Sequence, residues 1–177
     1  LEQFCRKFEP YGFRRTAMTP VYGLAENAVG LAFPPLERGA RIDAVDRERF
    51  TREGLAVPST AADALRFVSG GRALPRHFIR IVDETDRELG ERHQGRLQFR
   101  GPSATRGYFR NAEATAALMH GDWRDSGDFA YLADGEAFIT GRAKDLIIRA
   151  GRNIYPYELE QAVGDLDGIR KNAVAVF

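Results

Sequence analysis

At 177 residues and 19.8 kDa, with 44% hydrophobic and 29% charged residues, the chain can bury one domain core and begin a second. Twenty-six basic against 25 acidic residues leave a net charge of +1, which excludes a polybasic nucleic-acid or membrane arm. A lone Cys5 and the scattered His77, His93 and His120 exclude a disulfide framework and a clustered Cys/His metal site.

The chain starts at Leu1 inside a helical pattern, with Leu1, Phe4, Cys5 and Phe8 on one face before Pro10 and Gly12 stop it. Ala17 to Val21 is short and apolar. From Phe33 to Ala64, Pro34, Pro35, Gly39, Gly54 and Pro58 stand among many charges, and the stretch reads as a long ordered loop with one helical turn. Strands are expected at Leu65–Ser69, His77–Asp83 and Arg96–Arg100, with Glu84 to Glu88 a polar turn. Asn111 can cap a short helix to about Met119. Asp134-Gly135 marks a hairpin between Phe129–Leu132 and Ala137–Thr140. A strand at Asp145–Arg149 and a helix opened by Pro156 and running to about Leu166 follow. The chain stops at Phe177 within an apolar, strand-like run, so it is expected to be a fragment of a longer protein. The class is α+β: short-stranded sheets or a partial β-barrel with flanking helices. No apolar run approaches the roughly 20 residues of a membrane span, and with no signal peptide a cytoplasmic location is expected.

Three constellations can carry chemistry. In Tyr22-Gly23-Leu24-Ala25-Glu26 an aromatic beside a Gly can meet a flat ligand, and Glu26 can reach a magnesium–phosphate unit. Taken alone, the plainer reading is Tyr22 in the core and Glu26 merely solvated. In Trp123-Arg124-Asp125-Ser126-Gly127-Asp128 the last carboxylate can accept both hydroxyls of a ribose; an Asp-containing turn into a hairpin is the plainer reading. The third runs from Gly141 to Glu160, where Arg142 offers a planar fork to phosphate or ribose oxygens. A solvated hairpin has no need of the whole set.

Taken together these motifs resemble the adenylate-forming ligases, which include acyl-CoA synthetases, fatty acyl-AMP ligases and peptide-synthetase adenylation domains. The order is the family's: Tyr22 to Glu26, then Gly95 to Gly101 leading to Gly107-Tyr108, then Ser126-Gly127-Asp128, then Gly141 to Glu160. Ala25, where most of the family has Thr, resembles the fatty acyl-AMP ligase branch. So do the 42 residues between Glu26 and Ser69, and the run Phe67 to Gly71 followed by Leu74-Pro75.

The resemblance implies a fatty acid activated by ATP with Mg²⁺, and passage of the acyl group to a phosphopantetheine thiol on an acyl carrier protein or CoA. It implies that Tyr22 stacks on adenine and Glu26 helps hold Mg²⁺, while Asp128 binds the ribose hydroxyls with Arg142 behind it. Asn153 would come near the phosphate, Gly151 would lie by the thiol's path, and Lys144 would be the hinge. Residues 1–143 would then close the large domain and 144–177 open the small mobile one. The family's phosphate loop should lie upstream and its catalytic Lys beyond Phe177, so no catalytic residue is assigned here and the fragment alone is expected to be inactive. A stand-alone module binding AMP or a carrier protein is the alternative. Nucleic-acid binding, suggested by 23 Arg residues, is disfavoured by their dispersal among acids, which reads as compositional bias.

Overall fold

Helix α1 (Glu2–Phe8) forms where the apolar spacing puts it, and Gly12 at φ +88° ends the short 3-10 turn that follows. Of its apolar face only Cys5 is buried; Phe4 packs on Phe8 and Phe13. In this computed structural model residues 1–149, 152–170 and 173–176 are described. After α1 come β1 (Ala32–Phe33), β2 (Ile42–Val45), α2 (Arg47–Glu53), β3 (Leu65–Val68), β4 (Arg72–Ala73), β5 (Phe78–Val82) and β6 (Gly95–Arg100). Then follow α3 (Ala112–Leu118), β7 (Met119–His120), β8 (Trp123–Ala133), β9 (Glu136–Arg142), β10 (Ile147–Arg149), β11 (Arg152–Ile154) and α4 (Pro156–Gly164). The class is the α+β expected, with the largest sheet curled into a half-barrel.

That sheet is wholly antiparallel in the order β5-β6-β8-β7, with β9 also paired to β8. The β8–β9 hairpin turns at Asp134-Gly135, both at positive φ, the twist a two-residue hairpin loop requires. Strand β8 starts at Trp123, six residues before the strand expected from the sequence. One core lies on the sheet's inner face: Leu31, Ile81, Leu97, Phe99 and Ala130, with Tyr22 and Leu24 packed against it.

A second core overturns the loop expected between Phe33 and Ala64. Strand β2 pairs β3 from Ile42↔Val68 to Val45↔Leu65. Helix α2 is capped by Asp46, whose carboxylate accepts from the Arg49 N–H at 2.8 Å, and Gly54 at φ +66° ends it. The cause is packing at a distance. Phe50 is fully buried, with ring centroids 4.9 Å from Phe67, 5.8 Å from Tyr131 and 5.9 Å from Tyr155. The prolines flank these elements instead of breaking them.

Ion pairs tie the same connection to the β8–β9 hairpin. Glu136 is buried and takes both Nη atoms of Arg38, at 2.5 and 3.0 Å, and the Ser69 hydroxyl. These donors hold its carboxyl down to about 2.

Tyr155 ties the β11–α4 segment to the second core: it is buried among Phe50 and Phe67, with its hydroxyl 3.2 Å from Gln94 Oε1. The strand expected at Asp145–Arg149 begins at Ile147 and pairs with β11, which the sequence reading missed. Pro156 opens α4 as expected, and the helix ends at Gly164, two residues early. Among the described residues no helix is long and apolar enough to cross a membrane.

Replacing Phe50 by Ala removes the ring that joins α2, β3, β8 and Tyr155. The expected cost is about 3–5 kcal/mol, read from the denaturant midpoint. A loss within about 0.5 kcal/mol, the size of an ordinary surface change, would return this stretch to a loop.

Candidate functional site

A cavity of about 780 Å³ opens where the turn Gly23–Glu26, helix α3, the Asp125–Asp128 segment of β8 and the end of β9 meet. The pairing of β6 with β8 explains how Asp128 reaches it. Arg96 faces Phe129 and Gln98 faces Asp125, so Ser126, Gly127 and Asp128 stand against Leu97 alone. This bulge bends β8 and re-aims its side chains, a device common beside binding sites. Gly127 takes φ +75° at its centre, a conformation that other residues adopt only with strain. The Ser126 hydroxyl donates to the Leu97 carbonyl at 2.8 Å and accepts from the Asp128 N–H at 3.1 Å, fixing both ends of the bulge.

Asp128 accepts from the Tyr22 hydroxyl at 2.5 Å, and its other oxygen lies 3.8 Å from Arg142 Nε. Burial pushes its carboxyl up, partly offset by the Tyr22 hydrogen bond and the Arg142 charge. Burial and the Asp128 carboxylate likewise push the Tyr22 phenol up, so it stays a neutral donor. Arg142, with its side chain 77% exposed, makes a weak pair with Asp128 and is free to turn to an anion in the cavity.

Glu26 lies across the cavity, where its Oε1 accepts from the Tyr108 hydroxyl at 2.6 Å. Tyr108 was passed over as a site residue, although Gly107-Tyr108 stood among the motifs; only the fold brings it to Glu26. Gly23 is required here, but not by a ligand: a Cβ would lie 1.5 Å from the Val29 carbonyl oxygen. Lys144 is exposed and lines this cavity together with a neighbouring one of about 630 Å³ that reaches Tyr157 and Val176.

The structure thus brings Glu26, Asp128, Arg142 and Lys144 to one cavity. Tyr22 reaches it through Asp128, while its half-buried ring packs on the inner core. Asn153 is elsewhere: it pairs with Ile148 in the β10–β11 ladder and donates to Gln94 Oε1 at 3.3 Å. Gly151 lies outside the described residues. Among the described residues no group of three or more His, Cys, Asp or Glu side chains could hold a metal unaided.

No protein-family model matches the chain. Individual proteins do. It is 42% identical, over all of its length, to a Caulobacter vibrioides protein provisionally named an acyl-CoA synthetase, and covers 32% of that protein. It is 35% identical to the medium-chain-fatty-acid–[acyl-carrier-protein] ligase JamA of Moorena producens, over 92% of this chain and 30% of the relative. Among solved structures, one from a study of fatty acyl-adenylate ligases of E. coli and L. pneumophila superposes with a TM-score of 0.88 at 37% identity, over 94% of this chain and 30% of the other. An L. pneumophila fatty acyl-adenylate ligase in complex with acyl adenylate and pyrophosphate gives 0.74 at 26% identity, over 94% and 30%. The chain spans about a third of the length of the relatives it matches.

The geometry predicts a titration. In a carboxyl NMR experiment Asp128 should deprotonate above the ordinary aspartate range, because burial disfavours its charged form. Tyr22→Phe removes a donor to the carboxylate and should move the midpoint higher still. A midpoint that falls in Tyr22→Phe would mean that the hydroxyl does not serve Asp128.

Proposed function

We propose that this chain, which belongs to the adenylate-forming ligases, supplies the nucleotide-holding part of a fatty-acid-activating enzyme. In the complete protein a fatty-acid carboxylate attacks the α-phosphorus of ATP, expelling pyrophosphate and leaving an acyl adenylate. The acyl group then passes to a phosphopantetheine thiol. The observation that carries this reading is the bulge that turns Asp128 into the cavity opposite Glu26, with Arg142 beside it. In-line displacement on phosphorus asks the protein chiefly for positioning and charge stabilisation.

Asp128 accepts the two ribose hydroxyls, a pairing that needs its ionised form. Tyr22 serves adenine with its ring face and keeps its hydroxyl on Asp128. Arg142 turns its guanidinium from the weak Asp128 contact toward the ribose or a phosphate oxygen. Asn153 approaches the phosphate only after residues 144–177 have swung from their contact with Gln94. Lys144, which lines both cavities, is the hinge of that swing. The large domain closes at residue 143 and the small one opens at 144.

Glu26 suits magnesium in the way a nucleotide enzyme uses it: one carboxylate in a cavity, with the remaining oxygens from phosphate and water. Bound there, Mg²⁺ supplies charge neutralisation on the phosphates. Tyr108 holds the Glu26 carboxylate in place by its hydroxyl.

For the acceptor we favour a carrier protein. The support is Ala25, the insertion now seen to be folded as β2 and α2, and the carrier-protein ligase among the relatives. CoA is the other candidate.

Two measurements test this reading. Asp128→Ala should lower AMP affinity by tenfold or more, on the order of the 1.5–3 kcal/mol of a charge-assisted hydrogen bond. Equal titrations for both proteins would remove the ribose site. Lys144→Pro in the complete protein should leave adenylate formation intact and abolish acyl transfer, since proline locks φ and restricts Ala143 before it. Parallel loss of both half-reactions, or normal transfer, would remove the hinge.

A further inference from the structure

Alternate residues of β5, β6 and β8 face away from the inner core, and there they form one continuous polar network. The Arg80 and Arg100 guanidinium groups both lie over the Trp123 ring, 4.4 and 4.7 Å from its centroid. Arg80 donates to Gln98 Oε1 at 3.0 and 2.6 Å, and Gln98 Nε2 donates to Asp86 Oδ1 at 2.8 Å. Asp86 Oδ1 also takes Arg96 Nη2 at 2.5 Å, while its Oδ2 lies 2.7 Å from His120 Nδ1. Arg96 Nη1 donates to Asp125 Oδ2. The remaining oxygen of Asp125 accepts the backbone N–H of Gly127 at 2.8 Å, at the centre of the bulge that presents Asp128.

We infer that Asp125 is a positioning residue for the nucleotide, and that Arg96 acts through it. The inference rests on reading Asp128 as the ribose ligand. Gly127 has no side chain to pack, and a Cβ there would meet nothing within 4 Å. Inside the ends that Ser126 fixes, its conformation is held by two hydrogen bonds of its own: from its N–H to Asp125, and from the Ala143 N–H to its carbonyl at 2.8 Å. The Asp125 carboxylate can pin the N–H only while its own rotamer is fixed. A planar fork set between two carboxylates fixes it in a way that a single-point cation would not. Arg96 and Asp125 are largely shielded, with side chains 23% and 13% exposed, so water competes little for the pair. Releasing the Gly127 N–H lets the bulge relax and carries Asp128 off its position.

The test is a double-mutant cycle on the complete protein that carries this chain, read as the KM for ATP and for the fatty acid in the adenylation half-reaction. Arg96→Gln and Asp125→Ala should each raise the KM for ATP about tenfold, the worth of one charge-assisted hydrogen bond, with the fatty-acid KM unmoved. The double variant should be no worse than Asp125→Ala, because Arg96 has nothing left to hold. Where Asp125→Ala does not fold, the isosteric Asp125→Asn takes its place, and Arg96→Gln should again add nothing to it. Additive effects, or a fall in thermal stability with the KM for ATP unchanged, would overturn the relay. Asp128→Ala is run alongside. If it leaves the KM for ATP unchanged, the nucleotide reading itself fails; if it raises that KM while Arg96→Gln and Asp125→Ala do not, only the relay fails.

Discussion

The hydrogen bond from the Tyr22 hydroxyl to Asp128 spans 106 positions of the chain and ties the Tyr22 segment to β8 at the edge of the cavity. Its cost is set by burial, which opposes ionisation of both partners. It is favourable because the Tyr22 phenol keeps its proton and donates the hydrogen bond that the Asp128 carboxylate accepts. One Asp128 oxygen is thereby committed to the fold, while the residue also lines the cavity. Half-burial strengthens each hydrogen bond the carboxylate makes, as long as none is left unmade.

The polar groups around it follow the same rule. Among the described residues no buried side-chain nitrogen or oxygen lacks a hydrogen-bond partner. Glu136 holds Arg38 and Ser69 at one end of β9, and Asp43 receives Arg92 and the Tyr131 hydroxyl at 3.0 and 2.8 Å. Each of these contacts joins the folded connection between Glu26 and Ser69 to the central sheet. The insertion is thus part of the scaffold that holds the cavity.

Local chemistry announced the elements that local chemistry makes. Asp134-Gly135, the Asn111 cap and Pro156 each sit where the sequence placed them, because a turn, an N-terminus or a fixed φ is decided within a few residues. The cavity residues Glu26, Asp128, Arg142 and Lys144 were legible because motif order carries them, and not through any spacing along a single strand or helix. What escaped was settled at long range. Helix α2 exists because Phe50 meets Phe67, Tyr131 and Tyr155, partners that no window around residue 50 contains. The bulge at Gly127 depends on the register between β6 and β8, and Tyr108 meets Glu26 across 82 positions. Asn153, assigned beside a phosphate, donates to Gln94, a residue that carried no signal of its own.

The Arg content also acquires a physical reading. Compositional bias explains 23 Arg residues against three Lys, but it does not explain where they are used. Arg38 grips Glu136 with both Nη atoms; Arg92 spans the Asp43 carboxylate and the Ala56 carbonyl; Arg96 bridges Asp86 and Asp125. Arg38 and Arg96 each reach two acceptors with two different nitrogens, a task for a rigid fork rather than a point charge, while Arg92 serves both of its acceptors from Nη1. Arg80 and Arg100 add a further use, cation–π contact with the Trp123 ring. Arg142 differs from them. Its side chain is exposed, its carboxylate contact is long, and it stands at the cavity mouth. The partly shielded Arg38, Arg92 and Arg96 are thus committed to the scaffold, whereas Arg142 keeps only its long contact with Asp128.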